Sequence, residues 1–503
     1  MPRQLPGKTL LFSRWRGAPT SIAAFLSVEL AGGVRKPGVK PSPPLLRPGG
    51  SEAGALVATF MPWPHLARAI EPMKDAKATI SRIKKDAGKQ LRAFLERQHF
   101  KIEGEGKRPI WLVACGIEHR LSQQRYRRIA RFAAGAQRNA KARDWSRIEP
   151  IASISEPELH ALALHLLSAP GSIVARCAHR HDIPTDEKLF ALSWRRLRSY
   201  LGHRAFADLI LRAGKRSPYP AALCEAMLKG GFEAVLDEQI CLIEQAGDAK
   251  GAAIVDQLSA CLLDRPGLVQ FRRGKNLRLR IPVQAITPFA GGEQRRTGAK
   301  KAGRLRGDTL RRAFNSPFWP HVLCTTSVGQ EGLDFHLWCS RIVHWDLPGD
   351  PVDFEQREGR IARFGSLAVR RSLAEKHAEE ALAGTGNGSP FTRLLEIARM
   401  QPQGPTGLEQ WWLPTSDHRP VSVSYDWPFS LRSERKRQML QDLLFYRLAL
   451  GQPDPEAFVE MLRRVGADER DARSLAVDLA PISRPERKGK LAKEGTRRRA
   501  STR

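Results

Sequence analysis

Apolar residues in the first half of the chain follow mainly helical spacings. Residues 9–13 (TLLFS) are a short apolar run with β-forming character, and residues 18–33 have the pattern of an amphipathic helix that ends at two glycines. From about residue 57 to 275, apolar positions recur at helix-like intervals among Lys and Arg, most clearly over 73–98 and 221–263. The pattern therefore predicts a strand and a helix, followed by a long and mostly helical region.

The pattern changes at about residue 277. Apolar and charged residues alternate over 277–283 as in a strand, and two buried-type strands are predicted at 322–326 and 341–345, with a short helix at 309–314. Short β-runs that alternate with helical stretches are typical of a parallel α/β sheet. In such sheets the functional residues lie at the carboxyl ends of the strands, and polar loops follow both of these predicted strands.

Composition points to a polyanionic partner. The 503 residues carry a net charge of +31, and 42% of them are hydrophobic, which suits a chain of roughly two to four domains. Nucleic acid is the simplest partner for such a charge, and a solvated basic surface is the alternative. No apolar run approaches the roughly 20 residues of a membrane span. The sequence therefore predicts no membrane partner and a cytoplasmic location.

The seven cysteines argue against two kinds of scaffold. None of them forms a C-x-x-C pair, which disfavours both a disulfide framework and a zinc ribbon and fits a reducing cytosol. Cys177, His179 and His181 have the alternate spacing of side chains on one face of a strand, but no second pair of ligands follows. We interpret the two histidines as a surface pair and predict no metal site.

The most specific chemistry lies in the segment DPVDFEQREGRIAR, residues 350–363. The segment is predicted to be helical after its proline, so Arg360 and Arg363, three residues apart, would project from one face. Two guanidinium groups directed at one point suit a phosphoryl group on which negative charge develops. The alternative is that Glu355 and Glu358 neutralise both arginines.

The loop TTSVGQEGLD, residues 325–334, follows the first of the two later strands. Two glycines and small hydroxyl residues allow the backbone to approach a phosphate or a sugar closely. Thr326 and Ser327 can donate hydrogen bonds to phosphate oxygens, and Asp334 can accept one from a ribose hydroxyl. A plain strand-to-helix turn explains the same residues, so the loop alone does not decide between the two interpretations.

Taken together, TTSVGQEGLDFH and SRIVHWDLPGDPVDFEQREGRIARFG closely resemble the second RecA-like lobe of superfamily 2 helicases and translocases, in particular the Swi/Snf-like and phage-defence-related branches. Residues 326–334 resemble motif V of that family, and residues 356–363 resemble its motif VI, Q-R-x-G-R-x-x-R. Residues 10–30 (LLFSRWRGAPTSIAAFLSVEL) resemble the strand, loop and helix of motif IV. The remainder of the chain is only loosely covered by the resemblance.

The resemblance implies a role for each matching residue. In the family, arginine fingers act on the transferred phosphoryl group, neighbouring residues contact the nucleotide, and residues at the strand ends contact the nucleic-acid backbone. The implied catalytic residues are Arg360 and Arg363; the implied nucleotide-binding residues are Gly332, Asp334, Gln356, Arg357 and Gly359; the implied nucleic-acid-binding residues are Ser13, Arg14, Thr326 and Ser327.

The resemblance also implies a fold class and a domain organisation. The fold is α/β, with one RecA-like parallel-sheet lobe that is interrupted by a large, mainly helical insertion and followed by a helical C-terminal extension. The predicted segments are 1–33 (first strand and helix of the lobe), 34–56 (a Pro/Gly-rich linker), 57–276 (the insertion), 277–375 (the remainder of the lobe, with motifs V and VI), 376–480 (the extension) and 481–503 (a basic, disordered tail).

Family helicases bind ATP between two lobes, and the first lobe provides a P-loop and an Asp-Glu box. This chain has no G-x-x-x-x-G-K-[ST]: Gly7-Lys8-Thr9 matches only its end, and Pro2 stands where the first glycine belongs. The acidic pairs at 186–187, 237–238 and 468–469 do not follow a buried-type strand. We therefore expect ATP and Mg²⁺ to bind only in a composite site, with a first lobe from a separate polypeptide.

Two functions are compatible with these features. The first is the C-terminal motor lobe of an ATP-dependent DNA or RNA helicase or translocase, which is not competent to hydrolyse ATP alone. It would belong to a two-subunit enzyme or come from a coding sequence broken upstream. The second is a non-catalytic nucleic-acid-binding or assembly module, a degenerate helicase remnant. The complete motif VI favours the motor, because a pure binder has no use for arginine fingers.

Overall fold

The computed structural model combines a parallel α/β sheet with a larger helical body, which consists of the helices between residues 53 and 261 and has one buried core. It describes residues 7–30, 46, 53–136, 145–203, 206–207, 210, 218–247, 249–263, 268–273, 277–282, 286–288, 307–326, 333–384, 388–404, 406–425, 431–449 and 451–475.

Most strands belong to one sheet. The strands are β1 (Lys8–Phe12), β2 (Lys101–Ile102), β3 (Ser153–Ile154), β4 (Leu268–Arg273), β5 (Leu277–Pro282), β6 (Ile286–Pro288), β7 (Val322–Thr325), β8 (Cys339–His344) and β9 (Val421–Ser424). The main sheet has the order β6–β7–β1–β8–β9, with every pair parallel. Strands β2 and β3 form a short parallel pair, and β4 and β5 form an antiparallel hairpin.

Helices make up most of the remaining structure. They are α1 (Ala18–Leu30), α2 (Ala53–Phe60), α3 (Ile80–Arg97), α4 (Ile110–Leu121), α5 (Gln123–Ala136), α6 (Glu156–Ser168), α7 (Pro170–Arg180), α8 (Glu187–Ala191), α9 (Arg198–Leu201), α10 (Tyr219–Lys229), α11 (Phe232–Gln245), α12 (Ala252–Cys261), α13 (Gly307–Phe314), α14 (Pro351–Gly359), α15 (Leu367–Ala383), α16 (Pro390–Met400), α17 (Glu409–Trp412), α18 (Arg432–Leu448), α19 (Pro455–Arg464) and α20 (Glu469–Leu475). A π-helical turn (Leu192–Leu197) joins α8 to α9, and 3₁₀ turns occur at Leu66–Ala69, Trp145–Arg147 and Ser416–His418.

Strand β1 lies at the centre of the main sheet and is apolar on both faces. Leu10 and Phe12 pack with helix α13 on one face, and Leu11 packs with buried residues of α1 on the other. Leu10 lies opposite Leu323 of β7 and Ile342 of β8. A parallel sheet that is covered on both faces requires such a continuous apolar run.

The structure confirms the parallel α/β sheet and its strands near 9–13, 322–326 and 341–345, with the short helix α13 before β7. The alternation at 277–283 does form a strand, β5. That strand pairs with β4 in the hairpin, however, and β6 occupies the edge of the main sheet.

The segment 376–480, predicted to be helical, also supplies a strand. Strand β9 pairs in parallel with β8 at the second edge of the main sheet, and its Val423 packs with Val343 of β8. Residues 421–424 (VSVS) alternate apolar and polar positions over four residues, which is the shortest run that predicts a strand. The helical interpretation of 376–480 missed this short local signal.

The long helical pattern at 221–263 is broken into α10, α11 and α12. Gly231 adopts a φ of +65° immediately before α11, and Gly251 has a φ of +55° immediately before α12. Both conformations favour glycine, because a side chain is strained at such backbone angles. Apolar periodicity continues across both breaks, so it identifies the helices without locating their ends.

The helical body and the sheet share contacts. Trp319, in the loop between α13 and β7, packs into the core of the helical body, and its backbone N–H donates to the hydroxyl of Tyr200 (3.0 Å). Helix α11 makes two further connections: Trp338 donates its indole N–H to Gln239 (2.6 Å), and Arg370 donates to Glu238 (2.7 Å). The helical body is therefore packed directly against the parallel-sheet lobe.

Within the described ranges, no single helix has the length and apolar character to cross a membrane. Only the pair α6 and α7 meets both criteria jointly, and these two helices meet at an angle of 67°.

Candidate functional site

The loop that follows β1 is attached to the loop that follows β8. The Ser13 hydroxyl donates to a carboxylate oxygen of Asp346 (2.5 Å), and the backbone N–H of Arg14 donates to the other oxygen (2.9 Å). The Ser13 N–H in turn donates to the carbonyl of Thr325 at the end of β7 (2.9 Å). Both Ser13 and Asp346 are buried. These bonds join the carboxyl ends of three neighbouring strands into one surface, which we call the carboxyl edge.

Exposed basic and aromatic groups lie on the carboxyl edge. Arg14, Trp15 and Arg16 are all exposed, and the Arg14 guanidinium lies 5.1 Å from the centre of the Trp15 ring. Thr326, predicted to contact nucleic acid, is half-buried one residue beyond β7. Ser327, with the same predicted role, lies outside the described residues. The structure thus brings Arg14 and Thr326 to the same edge of the sheet.

Helix α14, which contains the first four residues of the segment 356–363, begins and ends at recognisable signals. Asp350 caps it by accepting a hydrogen bond from the N–H of Val352 (2.8 Å), and a proline occupies its first turn. The helix ends at Gly359, so Arg360 and Arg363 follow it in a turn. The prediction that helical spacing puts both arginines on one face is therefore wrong.

The turn nevertheless brings the two arginines to one place. Arg360 donates from Nη1 to the carbonyl of Leu333 (3.2 Å), and Arg363 forms an ion pair with the carboxylate of Asp334 (2.9 Å). The turn is fixed on both sides, because the N–H of Phe335 donates to the Arg360 carbonyl (3.0 Å) and Arg363 Nε donates to the carbonyl of Gly359 (3.0 Å). Two guanidinium groups therefore converge on the segment 333–334.

The two glutamates of α14 have other partners. Glu355 accepts from Arg447 of α18 (2.6 Å), and Glu358 lies 3.4 Å from the ring nitrogen of the buried His344. Burial alone would raise the pKa of Glu358, but hydrogen bonds to His344 and Ser422 outweigh it and lower that pKa. The interpretation in which these glutamates neutralise Arg360 and Arg363 is not supported by the structure.

Arg357 occupies a different environment from the two arginines that follow it. It is only 3% exposed, donates from Nη1 to the carbonyl of Asp346 (3.2 Å), and places its guanidinium 5.4 Å from the centre of the Phe12 ring. Burial lowers the pKa of Arg357, against the opposing effect of nearby carboxylates. Its position links α14 to the ends of β1 and β8, and its contact with nucleotide stays a prediction.

Two of the other predicted nucleotide-binding residues lie within α14. Gln356 is exposed and Gly359 is half-buried, whereas Gly332 lies outside the described residues. The backbone carbonyl of Asp334 accepts a hydrogen bond from the Asn315 side chain (2.8 Å), which holds the segment that faces Arg363.

The Cys177–His181 segment is helical, not extended, and the interpretation as a surface histidine pair is wrong. His181 is buried at the end of α7, where its Nδ1 lies 2.7 Å from Glu244, and only His179 is half-buried. No cluster of three or more His, Cys, Asp or Glu side chains suited to a metal ion occurs in the part of the chain that the structure describes.

The part of the chain that contains α13, β7, β8 and α14 also matches a known family. Residues 306–365 match the helicase conserved C-terminal domain. No curated protein and no solved structure matches the chain. The match supports a C-terminal lobe of the helicase superfamily, and with it a helicase-family role that involves nucleic acid. Asp334, Asp346, Arg357, Arg360 and Arg363 all lie within this helicase C-terminal domain.

Two residues at the carboxyl edge were not among the predicted site residues. Asp346 holds the loop that carries Arg14, and Trp15 is the large exposed ring of that loop. The sequence does contain a signal for each, since Asp346 directly follows a buried-type strand and Trp15 lies between two arginines. Neither signal identifies the partner, because the Ser13–Asp346 bond joins residues 333 positions apart.

Replacing Asp346 with alanine is expected to lower the free energy of unfolding by roughly 1–3 kcal/mol, because the buried Ser13 hydroxyl and the Arg14 N–H lose their acceptor. Urea unfolding followed by circular dichroism measures the change. Asp353→Ala, at an exposed position in the first turn of α14, is the control and should cost at most about 1 kcal/mol. Equal stability of the two variants would show that Asp346 is not the anchor of the loop.

Proposed function

We propose that the chain is the C-terminal motor lobe of an ATP-dependent DNA or RNA helicase or translocase, of the Swi/Snf-like or phage-defence-related branch. The observation that carries the proposal is the convergence of Arg360 and Arg363 on the segment 333–334, inside the span that matches the helicase C-terminal domain. Paired guanidinium groups fixed by a turn suit the charge of a phosphoryl group in transfer.

In this proposal the chain supplies one wall of an ATP site. Arg360 and Arg363 are the arginine fingers, and the Arg363–Asp334 ion pair opens when a triphosphate takes its place. Both side chains of that pair are about two-fifths exposed, so an incoming phosphate can reach them without rearrangement of the core. The P-loop and the ligands of Mg²⁺ belong to a first lobe in this proposal, because the 503 residues contain no G-x-x-x-x-G-K-[ST].

The carboxyl edge is the proposed contact with DNA or RNA. Arg14 and Thr326 lie at the ends of adjacent strands, and the chain carries a net charge of +31. Phosphate contacts by such residues position a strand without reading its sequence. Closure of two lobes around ATP would then move the strand relative to this edge.

Arg14→Ala is expected to weaken binding of a single-stranded oligonucleotide and to reduce the slope of log affinity against log salt concentration by about 0.7, the value for one lost phosphate contact. Fluorescence anisotropy titrations at several salt concentrations measure this slope. Arg341→Ala, which removes an exposed arginine from the middle of β8, is the matched control. An unchanged slope in Arg14→Ala would remove this residue from the interface.

The ATPase assay of the purified chain, with and without DNA or RNA, tests the composite site. We expect no turnover by the chain alone and turnover after addition of a polypeptide that carries a P-loop lobe. Turnover by the chain alone that disappears in Arg360→Ala would contradict the composite site and would direct attention back to Gly7-Lys8-Thr9.

The alternative function is a nucleic-acid-binding module without catalysis. It predicts the same binding by the carboxyl edge, but no assembly in which ATP turnover depends on Arg360. The fixed positions of both arginines favour the motor, because a module that only binds nucleic acid gains nothing from holding Arg360 and Arg363 against one segment.

A further inference from the structure

Trp15 has no role in the function proposed above, although it lies in the middle of the carboxyl edge. Its side chain is 61% exposed, whereas tryptophan is on average a highly buried residue. Exposed Arg14 and Arg16 flank it, and the Arg14 guanidinium lies 5.1 Å from the ring centre. The loop therefore presents one large aromatic face in basic surroundings.

The backbone that carries Trp15 is held on both sides. Its N–H donates to the Ser13 hydroxyl (3.2 Å), which is itself bonded to the buried Asp346. Its carbonyl accepts a hydrogen bond from the N–H of Ala18 at the start of α1 (3.1 Å). A ring on a fixed backbone loses less conformational freedom when a ligand binds, so such preorganisation favours binding.

The charges around the ring favour a polyanion over an apolar protein partner. In the ranges that the structure describes, neither Arg14 nor Arg16 forms an ion pair with an acidic side chain. The buried Arg357 adds a further guanidinium close to the end of β1, where it lies 5.4 Å from the centre of the Phe12 ring. Proteins that hold single strands combine this kind of basic surface with aromatic rings on which bases stack.

We propose that Trp15 is a stacking platform for one unpaired base of a DNA or RNA strand whose phosphates contact Arg14 and Arg16. The inference rests on the proposed function in one respect, namely that the carboxyl edge binds nucleic acid. It adds the substrate class: a single strand, or a duplex that is locally opened at this edge. A fully paired duplex offers no base face to the ring.

An exposed aromatic ring is not sufficient for a base contact, because the ring also needs basic neighbours that bind the phosphates. Phe25 of α1 is 74% exposed, more than Trp15, but no Lys or Arg occurs in the helix that carries it. We therefore assign no base contact to Phe25. It provides a matched control, an exposed aromatic side chain in the same strand–helix unit.

The experiment compares two labelled probes of equal length by fluorescence anisotropy, oligo(dT) and an abasic strand with the same phosphates. The wild-type chain is expected to bind oligo(dT) roughly 5- to 150-fold more tightly than the abasic strand, the range for stacking of one base. Trp15→Ala should lose most of this preference while binding the abasic strand as the wild type does. Trp15→Phe should keep most of the preference, and Phe25→Ala should behave as the wild type.

Three results would overturn the inference, and they separate failure of the platform from failure of the proposed function. If Trp15→Ala retains the full preference for oligo(dT), or if duplex DNA binds as tightly as oligo(dT) in both proteins, the platform does not exist while the proposed function stands. If the wild type binds no probe at all, the nucleic-acid part of the proposed function fails together with the platform. Circular dichroism of each variant confirms that it is folded before its affinity is interpreted.

Discussion

Replacing Arg360 with alanine is expected to lower kcat of the ATP-hydrolysing assembly by roughly 10³- to 10⁵-fold, the range for loss of an arginine finger. The reason is electrostatic: the guanidinium, positioned by the turn after α14, would stabilise charge that develops on the phosphoryl group during transfer. KM for ATP should change far less, because the interaction strengthens mainly in the transition state. Steady-state kinetics with the first-lobe polypeptide in excess measures both constants.

Alanine variants of two other arginines, Arg363 and Arg341, are the comparison for the kcat of Arg360→Ala. Arg363→Ala should also reduce kcat strongly, since Arg363 converges on the same segment through Asp334, whereas Arg341→Ala removes an exposed arginine from β8 and should leave kcat unchanged. Arg360→Lys separates geometry from charge, because lysine keeps the charge but lacks the planar fork of donors. A kcat within about tenfold of the wild type in Arg360→Ala would contradict the finger role.

Arg360 and Arg363 could be named from the sequence as candidate site residues, but the reason for their convergence could not be found there. Arg360 and Arg363 were expected on one helical face, yet α14 ends at Gly359 and a turn brings both side chains to 333–334. A three-residue spacing is compatible with either geometry. The hydrogen bond from Phe335 to the Arg360 carbonyl holds the turn against the segment 333–334, and it is a contact between separate segments that periodicity does not contain.

The long-range contact that stabilises the carboxyl edge could not be predicted from the sequence either. That polar loops follow the parallel strands is evident in the sequence, and the structure confirms the parallel sheet. The contact between Ser13 and Asp346 was not predictable, because the helical body lies between the two residues in the chain. A strand-end carboxylate has many possible partners, and only the pairing of β1 with β8 selects this one.

The helical body departs most from expectation at α7. Its sequence PGSIVARCAHR has basic and histidine side chains that suggest a surface, yet Arg176 and Arg180 are buried. Both arginines have partners on α11, 57 residues later in the chain, and Arg180 also pairs with Glu71, 109 residues earlier. Hydrophobic periodicity assigns charged residues to solvent, so it fails where charges are paired inside a protein.

Arg180→Ala is therefore expected to lower the free energy of unfolding by roughly 3–5 kcal/mol, the usual consequence of breaking a buried ion pair. Arg180 donates to Glu71 (2.7 and 2.9 Å), to Asp237 (3.1 Å) and to Glu233, and Asp237 also accepts from Ser389 near the start of α16. Without the guanidinium, two buried carboxylates lose a major counter-charge. Urea unfolding at pH 7 measures the loss.

Lys188→Ala is the control for this prediction. Lys188 pairs with Asp256 at 2.7 Å, but both side chains are more than half exposed, so its removal should cost no more than about 1 kcal/mol. An equally small loss for Arg180→Ala would mean that the cost of burying Arg180 offsets its attraction to the carboxylates. In that event the network would not stabilise the helical body.

The pH dependence gives an independent check on the same network. Burial alone would raise the pKa of Glu233, but Arg176 and Arg180 outweigh burial and lower it. A carboxylate with a lowered pKa stabilises the fold above its unfolded pKa of about 4.3, and that contribution disappears as the pH falls through the folded value. The difference in the free energy of unfolding between wild type and Arg180→Ala should therefore shrink on acidification below about pH 4.

Removing the charge of one partner should have the same effect as acidification. Asp237→Asn, combined with Arg180→Ala, should recover part of the lost stability, because the double variant leaves one fewer unpaired charge inside the helical body.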